Sequence, residues 1–145
     1  MKEDFIRYLN SIDIPVPLRE NIQKAYEFYQ GICPDEITGI FVTDYVKKDG
    51  IREYENLWFF SEKYCMEAKQ FVIKDDFDIV SIQKHVYRWR IEKRDYDFKE
   101  ATDMSRLTLY FVLESQITAG LKASKGNCDY LRDIFIKYIK PNLKA

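Results

Sequence analysis

The chain has 145 residues, 46% of them hydrophobic and 16% aromatic, which is enough to fill the core of one domain. Its 23 Lys and Arg nearly balance its 24 Asp and Glu, so a net charge of -1 excludes capture of nucleic acid or an acidic membrane by a global field, and any such binding must come from a local patch. The three cysteines, Cys33, Cys65 and Cys128, are odd in number and far apart. They argue against a disulfide framework and a zinc site, and they fit a reducing, cytoplasmic setting. The opening MKEDFIRYLN is too polar for a signal peptide, and no apolar run approaches the roughly 18 residues that span a bilayer. The expectation is a soluble or at most peripherally attached protein with no transmembrane segment.

Two helices are predicted first. Phe5, Leu9 and Ile12 recur at helical spacing until Pro15 and Pro17 stop them. Pro17 suits the start of the second helix, where Leu18, Ile22, Ala25, Tyr26 and Tyr29 form one face and Gly31 and Pro34 supply the stop. So short a pair is expected to pack on the rest of the chain, residues 1–33 forming a helical extension of a main domain at 37–145.

Beyond Pro34 the composition turns to β-branched and aromatic residues punctuated by turn signals. Ile37 to Lys47 and Arg52 to Ser61 read as a hairpin around Asp49-Gly50, a dipeptide that accepts positive φ. In the second strand Leu57 and Phe59 face one way while Trp58 and Phe60 face the other, so both faces are apolar. A third strand runs from Tyr64 to Val72. Ile79 to Asp97 is long enough for two strands or one interrupted by a bulge, because Val80 and Ile82 share one parity and Tyr87, Trp89 and Ile91 the other. Arg106 to Glu114 and Gln116 to Ser124 alternate cleanly. The chain closes with an amphipathic helix, Asn127 to Lys140, with Asn127 as N-cap and Pro141 as stop. Its stripe of Leu131, Ile134, Phe135, Tyr138 and Ile139 is wide enough to plug a small barrel, each large side chain contributing about 1.5–3 kcal/mol when buried.

This layout predicts an α+β fold, a curved antiparallel sheet or small barrel capped by a C-terminal helix. The segments LWFFSEKYCMEA, FDIVSIQK, LTLYFVLES and ITAGLKAS, feeding DYLRDIFIKYIK, make it resemble the pleckstrin-homology-like superfold in its bacterial and archaeal form. The resemblance is one of strand and helix order over residues 37–140 and rests on no signature residue. It implies a noncatalytic protein-interaction or scaffolding module whose partner is another protein or a second copy. In the phosphoinositide-binding branch, a basic first hairpin holds the headgroup. Here Lys47, Lys48 and Arg52 occupy that place, but Gly50 replaces the first basic residue of the usual triplet and Asp49 and Glu53 dilute the charge.

The densest basic cluster is Lys84 to Arg94. As a regular strand it would set Lys84, Val86, Arg88, Arg90 and Glu92 on one face and His85, Tyr87, Trp89, Ile91 and Lys93 on the other. Lys84, Arg88, Arg90 and Arg94 are therefore the candidates for an alternative function, recognition of phosphate in nucleic acid or an anionic lipid headgroup. A half-buried strand with an ordinary cationic face is the plainer reading. Tyr54, Trp58, Phe60 and Tyr87 are the candidate interface, since 23 aromatic residues exceed what one small domain need bury. The alternative is that the N-terminal helices cover them.

No enzymatic constellation emerges, and no cofactor or metal is expected. His85 is the only histidine, no glycine-rich phosphate loop exists, and the pairs Asp75-Asp76 and Asp95 with Asp97 are flanked by turn signals. Cys128, near a helix N-terminus, is flagged as a reactive thiol.

Overall fold

The computed structural model describes residues 1–47, 50–82, 86–94, 106–113 and 118–143, the side chain of Arg94 excepted. Helices α1 (Glu3–Ser11) and α2 (Val16–Ile32) precede strands β1 (Gly39–Val46), β2 (Arg52–Phe60), β3 (Tyr64–Lys69), β4 (Asp76–Ser81), β5 (Val86–Arg94), β6 (Arg106–Leu113) and β7 (Thr118–Ser124), and α3 (Asn127–Ile134) follows. The protein is α+β. Among the described residues the strands form two antiparallel sheets, in the orders β1-β2-β3-β4 and β5-β6-β7, and not the closed barrel that the sequence suggested. The described residues fall into two compact units, one of residues 1–42 and 55–81, the other of 43–54 and 82–145.

In the first unit the predicted apolar face of α1 is buried and that of α2 is buried at three of its five positions, Leu18 and Tyr26 being half-buried. Phe5, Leu9 and Ile12 are joined by Tyr8, and α2 contributes Ile22, Ala25 and Tyr29, with Pro17 in its first turn as expected. Phe59 of β2 is the centre of this packing, its ring 6.2 Å from Phe5, 5.7 Å from Tyr26 and 6.2 Å from Tyr29. Burying large rings contributes to this unit's hydrophobic stabilisation alongside its aliphatic residues. Tyr8 adds a polar tie, since the Val42 amide donates to its hydroxyl at 3.0 Å. The sheet continues by pairing Trp58 with Glu67 and Glu67 with Asp78. β3 stops at Lys69, short of the predicted Val72, because Gln70 turns the chain with a φ of 51° and its carbonyl accepts from the amides of Ile73 and Lys74.

In the second unit the hairpin end of β1 and β2 turns at Gly50, which adopts the expected positive φ, 85°. The predicted segment Ile79 to Asp97 resolves as the two-strand alternative, the end of β4 and all of β5 in different sheets. The register of β5 with β6 shifts between Val86 and Arg88, a bulge at Tyr87 that separates Tyr87 from the parity read for Trp89 and Ile91. β6 and β7 pair as their alternation requires, Leu109 opposite Leu121 and Phe111 opposite Ala119. α3 packs on β6 and β7, and all five predicted stripe residues are buried. The helix therefore covers a three-stranded sheet and does not cork a cylinder. Phe135–Ile139 continues as a π turn and Lys140–Asn142 as a 3₁₀ turn that includes Pro141. The Asn142 side-chain amide donates to the Tyr138 carbonyl at 2.6 Å, which satisfies an acceptor at this irregular end. Asn127 is the first helical residue rather than the N-cap, because its side chain is drawn to Asp44 instead.

Candidate functional site

β5 is an edge strand of its sheet, touched on its outer side among the described residues by a single parallel bridge, Val86 to Leu143. The bulge at Tyr87 changes the faces read from strict alternation: Val86 stands opposite Leu113 and Trp89 opposite Phe111, so both lie on the helix-covered face. Arg88, Arg90 and Glu92 share the other face, and Val86 does not belong with them. Tyr87 is 44% exposed, Trp89 47% and Ile91 37%, and Arg88 and Arg90 are exposed as well. Trp89 rests on Phe135 at 4.8 Å, so one side of the indole is anchored while the rest meets solvent. Arg90 lies over the Tyr110 ring at 4.8 Å and bonds Glu92 at 3.1 Å. Lys84 and His85 lie outside the described residues, as does the side chain of Arg94.

The other candidate residues have different surroundings. Arg52 is turned inward, its Nε 2.6 Å from the fully buried carboxylate of Asp44, and its guanidinium lies over Tyr54. Lys47 bonds Glu53 at 2.5 Å; that contact and the Tyr45 hydroxyl hold the Glu53 carboxyl below the usual range. Lys48 and Asp49 lie outside the described residues. Trp58 and Phe60, expected as exposed aromatics, are 3% and 0% exposed, their rings stacked at 6.0 Å. The aromatic rings of α1 and α2 that meet β2 do so at Phe59, on the opposite side of the strand. Tyr54 is half-buried, and of the four aromatics only Tyr87 is exposed.

Asp44 is the residue that reading the sequence passed over. Its carboxylate accepts from Arg52, from the Ser124 amide at 3.1 Å and hydroxyl, and from the Asn127 side chain at 2.7 Å. A buried charge with this many donors ties the hairpin to the end of β7 and the start of α3. The available signal was one acid inside the apolar run Ile40 to Val46. Beside it, Asp44, Tyr45, Glu92, Arg106, Thr108, Lys122 and Ala123 line a cavity of about 250 Å³.

A shallower depression of about 590 Å³ collects Phe28, Lys69, Asp75, Asp76, Phe77 and Asp78. Asp75 and Asp76 are exposed there, and Asp95 and Asp97 lie outside the described residues. Among the described residues no three His, Cys, Asp or Glu side chains converge to hold a metal. Glu67 is mostly buried between Trp58 and Asp78; desolvation, with the charges of Asp78 and Glu55, pushes its carboxyl up to about 7 against the opposing pull of Lys69. Burial also pushes the Cys65 thiol and the Tyr29 hydroxyl up, which disfavours either as a nucleophile. Cys128 donates to the Ala123 carbonyl at 3.6 Å.

No protein-family model matches this chain. No curated protein and no solved structure shows significant similarity to it. No helix among the described residues is long and apolar enough to cross a membrane.

Proposed function

We propose that the protein is a noncatalytic protein-interaction module of pleckstrin-homology-like layout that binds its partner through β5. The observation that carries this reading is the exposure of five consecutive residues, Tyr87 to Ile91, on both faces of an edge strand. An edge strand carries backbone donors and acceptors along its outer side, and a half-anchored tryptophan offers large contact area at little entropic cost. A sheet of four strands, a sheet of three and a closing helix agree with the resemblance in element order. A photo-crosslinking residue at position 89, expressed in cells, is expected to join the chain to a defined protein identified by mass spectrometry. The same residue at Ile32, exposed on α2, is expected to yield no such adduct. Equal adducts from both sites, or none from position 89, would end the reading.

A second reading, recognition of phosphate in nucleic acid or anionic lipid, is favoured by one observation. Arg88 and Arg90 share a sheet face with Arg106 and Lys122, since Glu92 stands opposite Thr108 and Thr108 opposite Lys122. Titration with heparin, a single-stranded oligonucleotide and anionic vesicles separates the two. Affinity that falls steeply with salt supports the phosphate reading, and its absence supports protein recognition.

A further inference from the structure

The end of α2 holds an unsatisfied hydroxyl beside a thiol. We propose that Cys33 is a site of oxidation to a sulfenic acid by a small hydroperoxide, with the added oxygen accepting a hydrogen bond from Tyr29. The site lies away from β5 and rests on neither reading above.

The helix brings the two side chains together. Tyr29 and Cys33 are one turn apart at the end of α2, where the Cys33 amide donates to the Tyr29 carbonyl at 2.8 Å, so they share a helix face. Tyr29 is 0% exposed. Its hydroxyl lies close enough to the Cys33 sulfur and the Ser61 hydroxyl for both to act on its proton, yet it makes no hydrogen bond among the described residues. Ser61 gives the reason. Its oxygen accepts from the Cys33 thiol at 3.7 Å and from the Tyr64 amide at 3.1 Å, which fills both lone pairs, and its proton points to the Tyr64 carbonyl at 3.4 Å. Sulfur is a weak acceptor, so Tyr29 keeps a proton that has no good acceptor. Burial holds that proton on Tyr29 and leaves the hydroxyl as a donor.

Oxidation supplies the missing acceptor. The Cys33 sulfur attacks one oxygen of the peroxide, the S–O bond forms as the O–O bond breaks, and the departing hydroxide or alkoxide takes the thiol proton and leaves as water or alcohol. The sulfur is oxidised and the peroxide is reduced. The new oxygen accepts from Tyr29, and the sulfenic O–H takes over the thiol's donation to Ser61. Cys33 is the C-cap of α2, where the helix dipole does not favour a thiolate, so selectivity lies in how long the product persists and not in how fast it forms. The other cysteines have different surroundings. Cys65 is 1% exposed, out of reach of a peroxide, and Cys128 donates to the Ala123 carbonyl, which has no proton to offer a sulfenic oxygen.

The test treats the reduced full chain with hydrogen peroxide, removes the peroxide and adds dimedone after increasing delays, with adducts located by peptide mass spectrometry. The expectation is a sulfenic acid at Cys33 that survives about tenfold longer than any at Cys128, and none at Cys65. This comparison needs no variant. Tyr29→Phe keeps the ring in the core and is expected to shorten the Cys33 lifetime about five- to tenfold, the effect of one lost hydrogen bond. The same variant should leave the thermal midpoint of the reduced chain unchanged or raise it, because an unsatisfied donor is gone, and should lower the midpoint of the oxidised chain. Equal destabilisation of both forms would overturn the proposal, since it would mean that a buried water already satisfies the hydroxyl. A Cys33–Cys65 disulfide in place of the dimedone adduct would also overturn it, as would a Cys33 lifetime that matches Cys128 or is unaffected by Tyr29→Phe.

Discussion

β2 and β5 are built from similar material and meet opposite fates. Each has nine residues that mix charges with a tryptophan and large apolar side chains. Leu57 to Phe60 are buried on both faces, whereas Tyr87 to Ile91 are exposed on both. The two strands also differ in sheet position: β2 is flanked by β1 and β3, while β5 is an edge among the described residues. Hydrophobic content alone therefore does not distinguish core from contact surface.

The sharpest way to break this contrast is to truncate the two aromatics. Phe59→Ala removes the ring at the centre of the first unit's core and is expected to cost about 3–5 kcal/mol in urea denaturation. Trp89→Ser should cost clearly less, about 1–2 kcal/mol, because only the part of the ring that rests on Phe135 is buried. Equal losses would mean that β5 is as much a core element as β2. Asp44→Ala is expected to cost about 3–5 kcal/mol, since it leaves the partly buried Arg52 guanidinium without its carboxylate. Asp44→Asn should cost less, because an amide keeps the shape and an acceptor.

Glu67 gives a smaller effect with a definite sign. Its folded pKa of about 7 lies above the unfolded value, so the protonated form is favoured by folding. Stability is fully present below the unfolded value near 4.5 and declines as pH rises toward 7. Glu67→Gln is expected to stabilise the protein by on the order of 2 kcal/mol at pH 8 and to have little effect at pH 4, measured by denaturant midpoint at both values. A pH-independent difference would show that the carboxyl is not desolvated. The smallest effect is Gly50→Ala, about 1 kcal/mol of destabilisation, because φ at that turn is 85°.

Much of the local structure was legible from particular residues. The stripe from Leu131 to Ile139, the alternation of β6 and β7 and the positive φ of Gly50 all rest on spacing or on the conformational range of one residue. The site was less legible. The cationic strand was visible, but the faces of Val86 and Trp89 depended on where the bulge fell, and Asp44 gave no periodic signal because its donors come from Arg52, Ser124 and Asn127, up to 83 residues away.

What the sequence determined by itself was which segments are helices and strands, and which sides of them are apolar, because those properties repeat over a few residues. Tertiary structure alone decided that the strands divide into two sheets, that Trp58 is enclosed while Trp89 faces water, and that Glu92, Arg106 and Lys122 line one cavity. Those outcomes depend on which strand edges exchange hydrogen bonds. That choice is made between segments far apart in the chain, and no local pattern encodes it.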